Sequence, residues 1–411
     1  MRVRTDRARR QIAALGLLAL ASTTLSACDT GAASPVGERP ADDTGNADAG
    51  DEDDGGAPAP EVDLNVARGA EDVPVDTVLA VTVRNATLQA VRATSEDGPL
   101  PGRKADNGHS WKAGDRLEPG TAYKVVTVAQ GEDGRTVRSA TRFRTQDLTL
   151  DQQTYASIAP LAGETVGVGM PVIVSFDVPV TDRASFEKHM SVSSTPRQPG
   201  TWHWISDNEA HYRPKRYWKP GTEVSVDVDV NGVPAGDGIY GQHSRTVDFT
   251  VGDAHVYRVD ARTHQMKVFS NGDLLRTIPI TTGKAGFDTR NGTKVIIEKF
   301  DSKRMNSETV GIPAGSSEAY DIDNVQWAMR LTYSGEFIHA APWSVGSQGN
   351  ANVSHGCTGM STADADWLYR MTRRGDVVET VGTNGDDMTL TNGYGDWNVS
   401  YAEYAKGSAL G

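Results

Sequence analysis

Between residues 61 and 253 the apolar positions come in short runs that alternate with polar ones, separated by Gly, Pro, Asn and Asp. Leu79-Ala80-Val81-Thr82-Val83, Tyr123 to Val128, Val172 to Phe176 and Val224 to Val230 are rich in β-branched residues. A period of two in such residues predicts half-buried strands. The pattern also repeats. Glu118-Pro119-Gly120-Thr121 precedes one strand, and Lys219-Pro220-Gly221-Thr222 precedes another 101 residues later. That offset is about one immunoglobulin-sized sandwich, and each copy closes on a strand with an aromatic, Phe143 or Phe249. Two consecutive β-sandwiches are expected, over residues 61–147 and 148–252, serving as spacers for a third domain. The second carries an aromatic and histidine cluster of Trp202, His203, Trp204, His211, Tyr212, Tyr217 and Trp218. It reads as packing rather than as a sugar or metal site, because tryptophan on a sandwich strand usually fills the core.

From residue 253 the runs change spacing. His255 to Val259 and Met266 to Phe269 are followed by Asn271-Gly272 and then Leu274 to Ile280. Asn-Gly between alternating runs is a hairpin signal. Further strands are expected at Lys294 to Lys299 and Glu336 to His339. Phe300 to Val325 has no clear period and suits a lid over a site. One helix is predicted from Thr362 to Arg374, capped by Ser361 or Thr362 and ended by Gly375. A third, β-rich domain with few helices thus spans 253–382. Residues 383–411 read as a segment docked on it by a short helix, with Trp397, Tyr401 and Tyr404 on one face.

The first sixty residues obey other rules. Arg2, Arg4, Arg7, Arg9 and Arg10 precede an apolar run from Ile12 to Ala21. That run is too short for a bilayer, which needs about 20 apolar residues, but it fits an export signal over residues 1–27. The signal ends in Leu25-Ser26-Ala27-Cys28, which resembles a bacterial lipobox and implies acylation of Cys28. Two or more acyl chains anchor a protein stably. Residues 28–60 hold nine acids against one base, Arg39, and read as a self-repelling tether. The expected location is the outer face of the cytoplasmic membrane, facing the cell wall. A net charge of −13 argues against nucleic-acid binding, which needs clustered positive charge.

The chain has two cysteines, Cys28 and Cys357, so an acylated Cys28 leaves Cys357 alone in an oxidising compartment. Such a thiol is expected to be buried or used. Its setting, Val353-Ser354-His355-Gly356-Cys357-Thr358-Gly359, is polar and glycine-rich, a poor core but a good source of backbone N–H groups for an oxyanion. A thiol nucleophile needs a base, and the candidates are His355 and His339, the latter ending the strand Glu336-Phe337-Ile338-His339. Zinc held by His339, His355 and Cys357 is the weaker reading, since no carboxylate lies nearby in sequence.

His339, fourteen intervening residues and then Ser354-His355-Gly356-Cys357 resembles the signature of the L,D-transpeptidase (YkuD-domain) family. The likeness extends over residues 253–411, and the two sandwiches resemble the tandem immunoglobulin-like modules of actinobacterial members. The resemblance implies a mainly β fold, with two immunoglobulin-like sandwiches before a β-rich catalytic domain, and no cofactor or metal. It implies that Cys357 attacks the carbonyl joining the third residue of a peptidoglycan tetrapeptide stem to its terminal D-Ala. A thioester forms, and the side-chain amine of a second stem resolves it into a 3→3 cross-link. His339 would be the base, oriented by a backbone carbonyl such as that of Ala340. Ser354, His355, Gly356 and Cys357 would build the oxyanion loop, the His355 side chain adding a polar contact. Met305, Tyr320, Trp343 and Gly359 would line the substrate cleft, and carbapenem-type β-lactams would be covalent inhibitors.

Three positions depart from the family pattern. Thr358-Gly359 replaces a hydrophobic residue and Asn, and Ala340 replaces a Ser or Gly. None removes thiol or base. Histidine preceding cysteine disfavours papain-like peptidases, and the short gap disfavours sortases. Two alternatives stay open: an L,D-carboxypeptidase that trims stems with water, and a non-catalytic lipoprotein that binds the wall.

Overall fold

The computed structural model describes residues 58–411. The export signal, Cys28 and the tether up to residue 57 lie outside the described residues.

The first sandwich pairs two four-stranded sheets. One holds Glu61–Leu64, Ala80–Arg84, Ser110–Ala113 and Gly102–Lys104 in that order. The other holds Gly98–Leu100, Ala86–Ser95, Ala122–Gly131 and Thr136–Arg144. The period of two is visible along Ala122–Gly131, where Tyr123, Val125, Thr127 and Ala129 face inward. Tyr123 stacks on Phe143 at 5.4 Å between ring centres. The repeated Pro-Gly-Thr is one turn used twice. Gly120 and Gly221 have φ of 60° and 73°, and their amides donate to Gln146 and Val251 carbonyls, each at 2.8 Å. Left-handed backbone of this kind favours glycine.

The second sandwich sets Ala156–Ala159, Val172–Phe176, Glu209–Pro214 and Gly200–Ser206 against Thr165–Val166, Arg245–Val251, Glu223–Val228 and Met190–Thr195. Trp202, Trp204, Tyr212 and Trp218 are buried in its core. That core does not stop at the domain edge: Val295, Ile297 and Val377 of the following domain, and Tyr394 of the C-terminal segment, belong to the same buried cluster. Gly169 allows the approach, since a Cβ there would lie 2.6 Å from Val377 and 3.2 Å from Val295. Arg374 adds a bidentate pair with Glu164 at 2.9 and 2.7 Å. The second sandwich is therefore not a detached spacer. It is welded to the third domain by apolar burial. The first sandwich meets the second through polar contacts, with Arg116 donating to the carbonyl of Asn231 at 3.2 Å and Asn231 to Glu118 at 2.9 Å.

The third domain has a five-stranded sheet, ordered Asp273–Pro279, Gln265–Ser270, His255–Asp260, Val377–Val381 and Gly292–Val295. Asn271 and Gly272, with φ of 50° and 94°, make the predicted hairpin turn. A second sheet runs Glu298–Asn306, Asp321–Arg330, Phe337–Ala340 and Thr358–Met360. Between the sheets lie Tyr257, Met266, Ile278, Ile338 and Met360, with Leu368 from the helix. Two expectations are corrected here. The helix is Thr362–Met371, capped by Ser361, and ends before Arg374, because the Arg373 amide turns to Asp376 at 2.8 Å. The segment read as a patternless lid is a long hairpin of the second sheet with its tip at residues 307–320. Much of its length faces solvent on both sides, so no alternation was imposed on it.

The C-terminal segment is the third correction. Its helix, Tyr401–Ala405, docks chiefly on the second sandwich. His203 Nδ1 bonds the Tyr404 carbonyl at 2.7 Å, and the Trp204 amide donates to Gly407 at 3.0 Å. Buried His211 bridges Asp396 at 2.9 Å and Glu209 at 3.0 Å. Trp397, Tyr401 and Tyr404 surround the Arg213 guanidinium at 4.8, 5.6 and 4.4 Å, a cation–π cage. The histidines of the cluster thus hold the helix, while the rest of the segment runs along the third domain: Asn398 makes a reciprocal pair with the Thr293 backbone, both bonds at 2.7 Å, Asn291 exchanges bonds with Asp386 and Met388, and Asn392 accepts from the Ser334 amide at 3.0 Å.

Candidate active site

Parallel pairing of Phe337–Ala340 with Thr358–Met360 sets the site. His339 lies opposite Gly359, and Ile338 opposite Thr358, so Cys357 sits one residue before its own strand begins. The thiol Sγ lies 3.7 Å from the Gly335 carbonyl. Burial pushes the Cys357 pKa up to about 12, although the Phe337 amide and Lys294 both favour the thiolate. His339 is buried, and burial holds its pKa below the ordinary 6.5. Its Nδ1 donates to the Ala340 carbonyl at 2.7 Å. In the neutral ring this leaves Nε2 as the lone-pair nitrogen. Trp343, half-exposed, stacks on His339 at 5.8 Å.

The loop before the thiol is clamped from both ends. Ser354 Oγ donates to the Cys357 carbonyl at 2.6 Å and accepts the Gly356 amide at 3.2 Å. Thr289 Oγ1 donates to the Gly356 carbonyl at 2.8 Å. Gly356 has φ of 114°, backbone that a residue with a Cβ adopts only under strain. With its amide on Ser354, Gly356 is not a free oxyanion donor in this state. Gly359 is packed on its open side: a Cβ there would lie 2.9 Å from Ala341 Cβ and 3.1 Å from Thr281 Cγ2. An Asn has no room at this position without displacing its neighbours.

The His355 side chain is engaged by the lid. Its Nε2 meets Glu318 at 2.8 Å, and its ring packs between Phe287 at 4.7 Å and Tyr320 at 5.1 Å. Glu318 also pairs with Lys284, so the lid tip is tied to the body by an acid between two bases. Both bases pull the Glu318 carboxyl below its usual range. Among the described residues, no three His, Cys, Asp or Glu side chains converge as a metal site requires.

Cys357 opens on two cavities. The first, about 290 Å³, also holds His339, Trp343, Ser344, Val353, Ser354, His355 and Gly359. The second, about 260 Å³, lies on the Gly335 side and is lined by Lys303, Arg304, Arg330 and Tyr333. Met305 and Tyr320 from the lid line both and form the divider. Behind the site, Glu336 accepts from the buried Lys294 at 2.5 Å and from the Arg290 amide and guanidinium at 3.0 Å each. Sequence reasoning missed Lys284, Glu318, Lys294, Lys303, Arg330 and Glu336. The charged positions within the apolar runs Lys294 to Lys299 and Glu336 to His339 were the available signal for the buried pair.

Comparisons agree with this architecture. The bacterial Ig domain family matches residues 70–234, and the L,D-transpeptidase catalytic domain family matches residues 254–380. L,D-transpeptidase 2 of Mycobacterium tuberculosis (strain CDC 1551 / Oshkosh) is 36% identical over 351 residues, covering 85% of each chain. L,D-transpeptidase 5 of Mycobacterium tuberculosis (strain ATCC 25618 / H37Rv) is 32% identical over 361 residues, 86% of this chain and 78% of that one. A solved LD transpeptidase in complex with imipenem has a TM-score of 0.49 and 38% identity, covering 55% of this chain and 98% of that chain. At that identity and coverage of full-length relatives, this chain belongs to the L,D-transpeptidase family.

Proposed function

We propose that this protein cross-links peptidoglycan stems as a cysteine-dependent L,D-transpeptidase, with Cys357 as nucleophile and His339 as its base. The observation that carries the reading is one cleft lined by both a thiol and an imidazole whose Nδ1 is held by the Ala340 carbonyl, which leaves Nε2 as the lone-pair nitrogen. Burial raises the thiol pKa and lowers that of the imidazole, so the resting pair is neutral rather than an ion pair. Proton transfer then accompanies attack. The Cys357 proton passes to His339 Nε2 as the S–C bond forms on the carbonyl preceding the terminal D-Ala. The tetrahedral oxyanion is met by the amides of His355 and Cys357. The C–N bond breaks, His339 returns the proton to the departing amine, and a thioester remains. The side-chain amine of a second stem enters beside His339, gives up its proton there and displaces Cys357, forming a 3→3 amide bond. Export, acylation of Cys28 and an acidic tether belong to the same proposal, with the enzyme held at the outer face of the cytoplasmic membrane.

Intact-protein mass after mixing with imipenem tests the chemistry, because a strained β-lactam carbonyl traps the same thiol. One adduct is expected, absent in Cys357→Ala. His339→Gln should remain folded and acylate at least about 10²-fold more slowly. A native chain that forms no adduct supports the binding-lipoprotein alternative instead.

A further inference from the structure

The two cavities that meet at Cys357 differ in charge. No Asp, Glu, Lys or Arg side chain lines the first. The second is lined by three cations, Lys303, Arg304 and Arg330, and by no acid. These cations are unequally engaged. Arg304 is bound by Asp321 at 2.8 Å through its Nε and by Asp323 at 3.3 Å, and is neutralised. Arg330 touches one acid, Glu298, through Nε at 3.2 Å, and lies over the Phe337 ring at 4.9 Å. Its Nη atoms donate to no side chain or carbonyl among the described residues. Lys303 Nζ rests 4.5 Å from the Phe300 ring centre with no acid partner among the described residues. The Lys303 ammonium and the Nη edge of Arg330 are therefore the uncommitted donors of a cavity that Cys357 also lines.

The reaction assigns each cavity a side of the scissile bond. By microscopic reversibility, the departing amine and the attacking amine occupy the same place. Both exchange a proton with His339, which lines the first cavity only. The amine side of the bond is therefore the first cavity, and the acyl chain extends into the second. We infer that the second cavity is a carboxylate-binding subsite in which Arg330, assisted by Lys303, recognises an anionic acyl chain. Guanidinium suits this task because its planar fork donates two parallel hydrogen bonds to a carboxylate. The occupant is a peptide with a free carboxylate on the residue that supplies the scissile carbonyl. Met305 and Tyr320, shared by both cavities, would bracket the peptide where it crosses the thiol. This subsite rests on the proposed transpeptidase reading for its orientation.

The test uses the full chain with Cys357→Ala, which cannot be acylated, titrated calorimetrically with two synthetic tetrapeptides ending in D-Ala. They differ only in a carboxylate or a carboxamide on the third residue. The carboxylate peptide should bind at least about tenfold more tightly, the scale of one charge-assisted hydrogen bond. Adding Arg330→Gln should bring the two peptides within about twofold by weakening the carboxylate peptide alone. Lys303→Gln should reduce the difference partially, and it carries the test if Arg330→Gln does not fold. Equal affinity in the parent, or an undiminished difference in both variants, overturns the subsite. Imipenem acylation of the native chain reports separately on the reaction. An adduct without carboxylate preference removes the subsite and leaves the transpeptidase reading intact; carboxylate preference without an adduct removes the transpeptidase reading and, with it, the acyl-chain orientation, so the subsite as proposed is overturned too.

Discussion

Replacing Glu336 by Ala should be among the most damaging single changes behind the active site. Lys294 is fully buried, and Glu336, itself 4% exposed, is the acceptor its ammonium bonds. Arg290 keeps about a third of its side-chain surface and can turn to water, whereas Lys294 cannot. Breaking one side of a buried ion pair costs about 3–5 kcal/mol. At roughly 2–4 °C per kcal/mol for a unit of this size, Tm should fall by about 10 °C. Burial already depresses the Lys294 pKa from 10.5, and removal of Glu336 depresses it further. A base with a lowered folded pKa destabilises the fold when protonated. The penalty is therefore greatest below that folded pKa and shrinks as pH rises towards 10.5. Lys294→Met combined with Glu336→Leu removes both charges and should recover at least half of the loss, the remainder reflecting the orphaned Arg290 amide. Urea unfolding at neutral and alkaline pH measures each quantity. A loss below about 1 kcal/mol for Glu336→Ala, or one that does not shrink with pH, would show that Lys294 is not held as an ion beneath the thiol.

The geometry sets three further outcomes. Gly359→Asn, which restores the more common residue of the family, should destabilise by about 1–3 kcal/mol through overpacking against Ala341 and Thr281; unchanged thermal unfolding would contradict the tight approach. Glu318→Gln should free the lid tip from Lys284 and His355, seen as faster amide hydrogen exchange over residues 307–320, with Cys357→Ala as a neutral comparison. His211 is buried, which disfavours its charge, yet Asp396 and Glu209 raise its pKa to about 9. A raised folded pKa gives stability that is complete below 6.5 and is lost as pH rises through about 9, so exchange over residues 396–409 should accelerate across that interval, and His211→Gln should abolish the pH dependence.

The parts legible in the sequence were those written locally. Cys357 and His339 stood out because a lone thiol in a glycine-rich polar loop makes no sense as core, and the Asn271-Gly272 turn needs nothing beyond its neighbours. The repeated Pro-Gly-Thr was readable for the same reason, since each glycine takes the same left-handed turn. What was missed depends on pairing between distant strands. Lys294 and Glu336 sit 42 residues apart, and each alone resembles a solvent-facing charge on a strand. His355 lies two residues from the thiol in sequence, yet its ring is engaged by Glu318 from the lid. The tail aromatics did read as a packing face, but nothing near Trp397 names Arg213 as what they pack around. Composition could not reveal the split in charge between the two cavities, because Arg304 has partners that remove it from the balance.

The apolar weld between the second sandwich and the third domain has a mechanical consequence. Val295 and Val377 belong both to catalytic strands and to the sandwich core, so no hinge separates the two bodies. Any pivot between them and the first sandwich must use the polar junction around Arg116 and Asn231. A swing at that junction would carry the second sandwich and the third domain together as one body, with the cavity lined by Cys357 and His339 moving inside it.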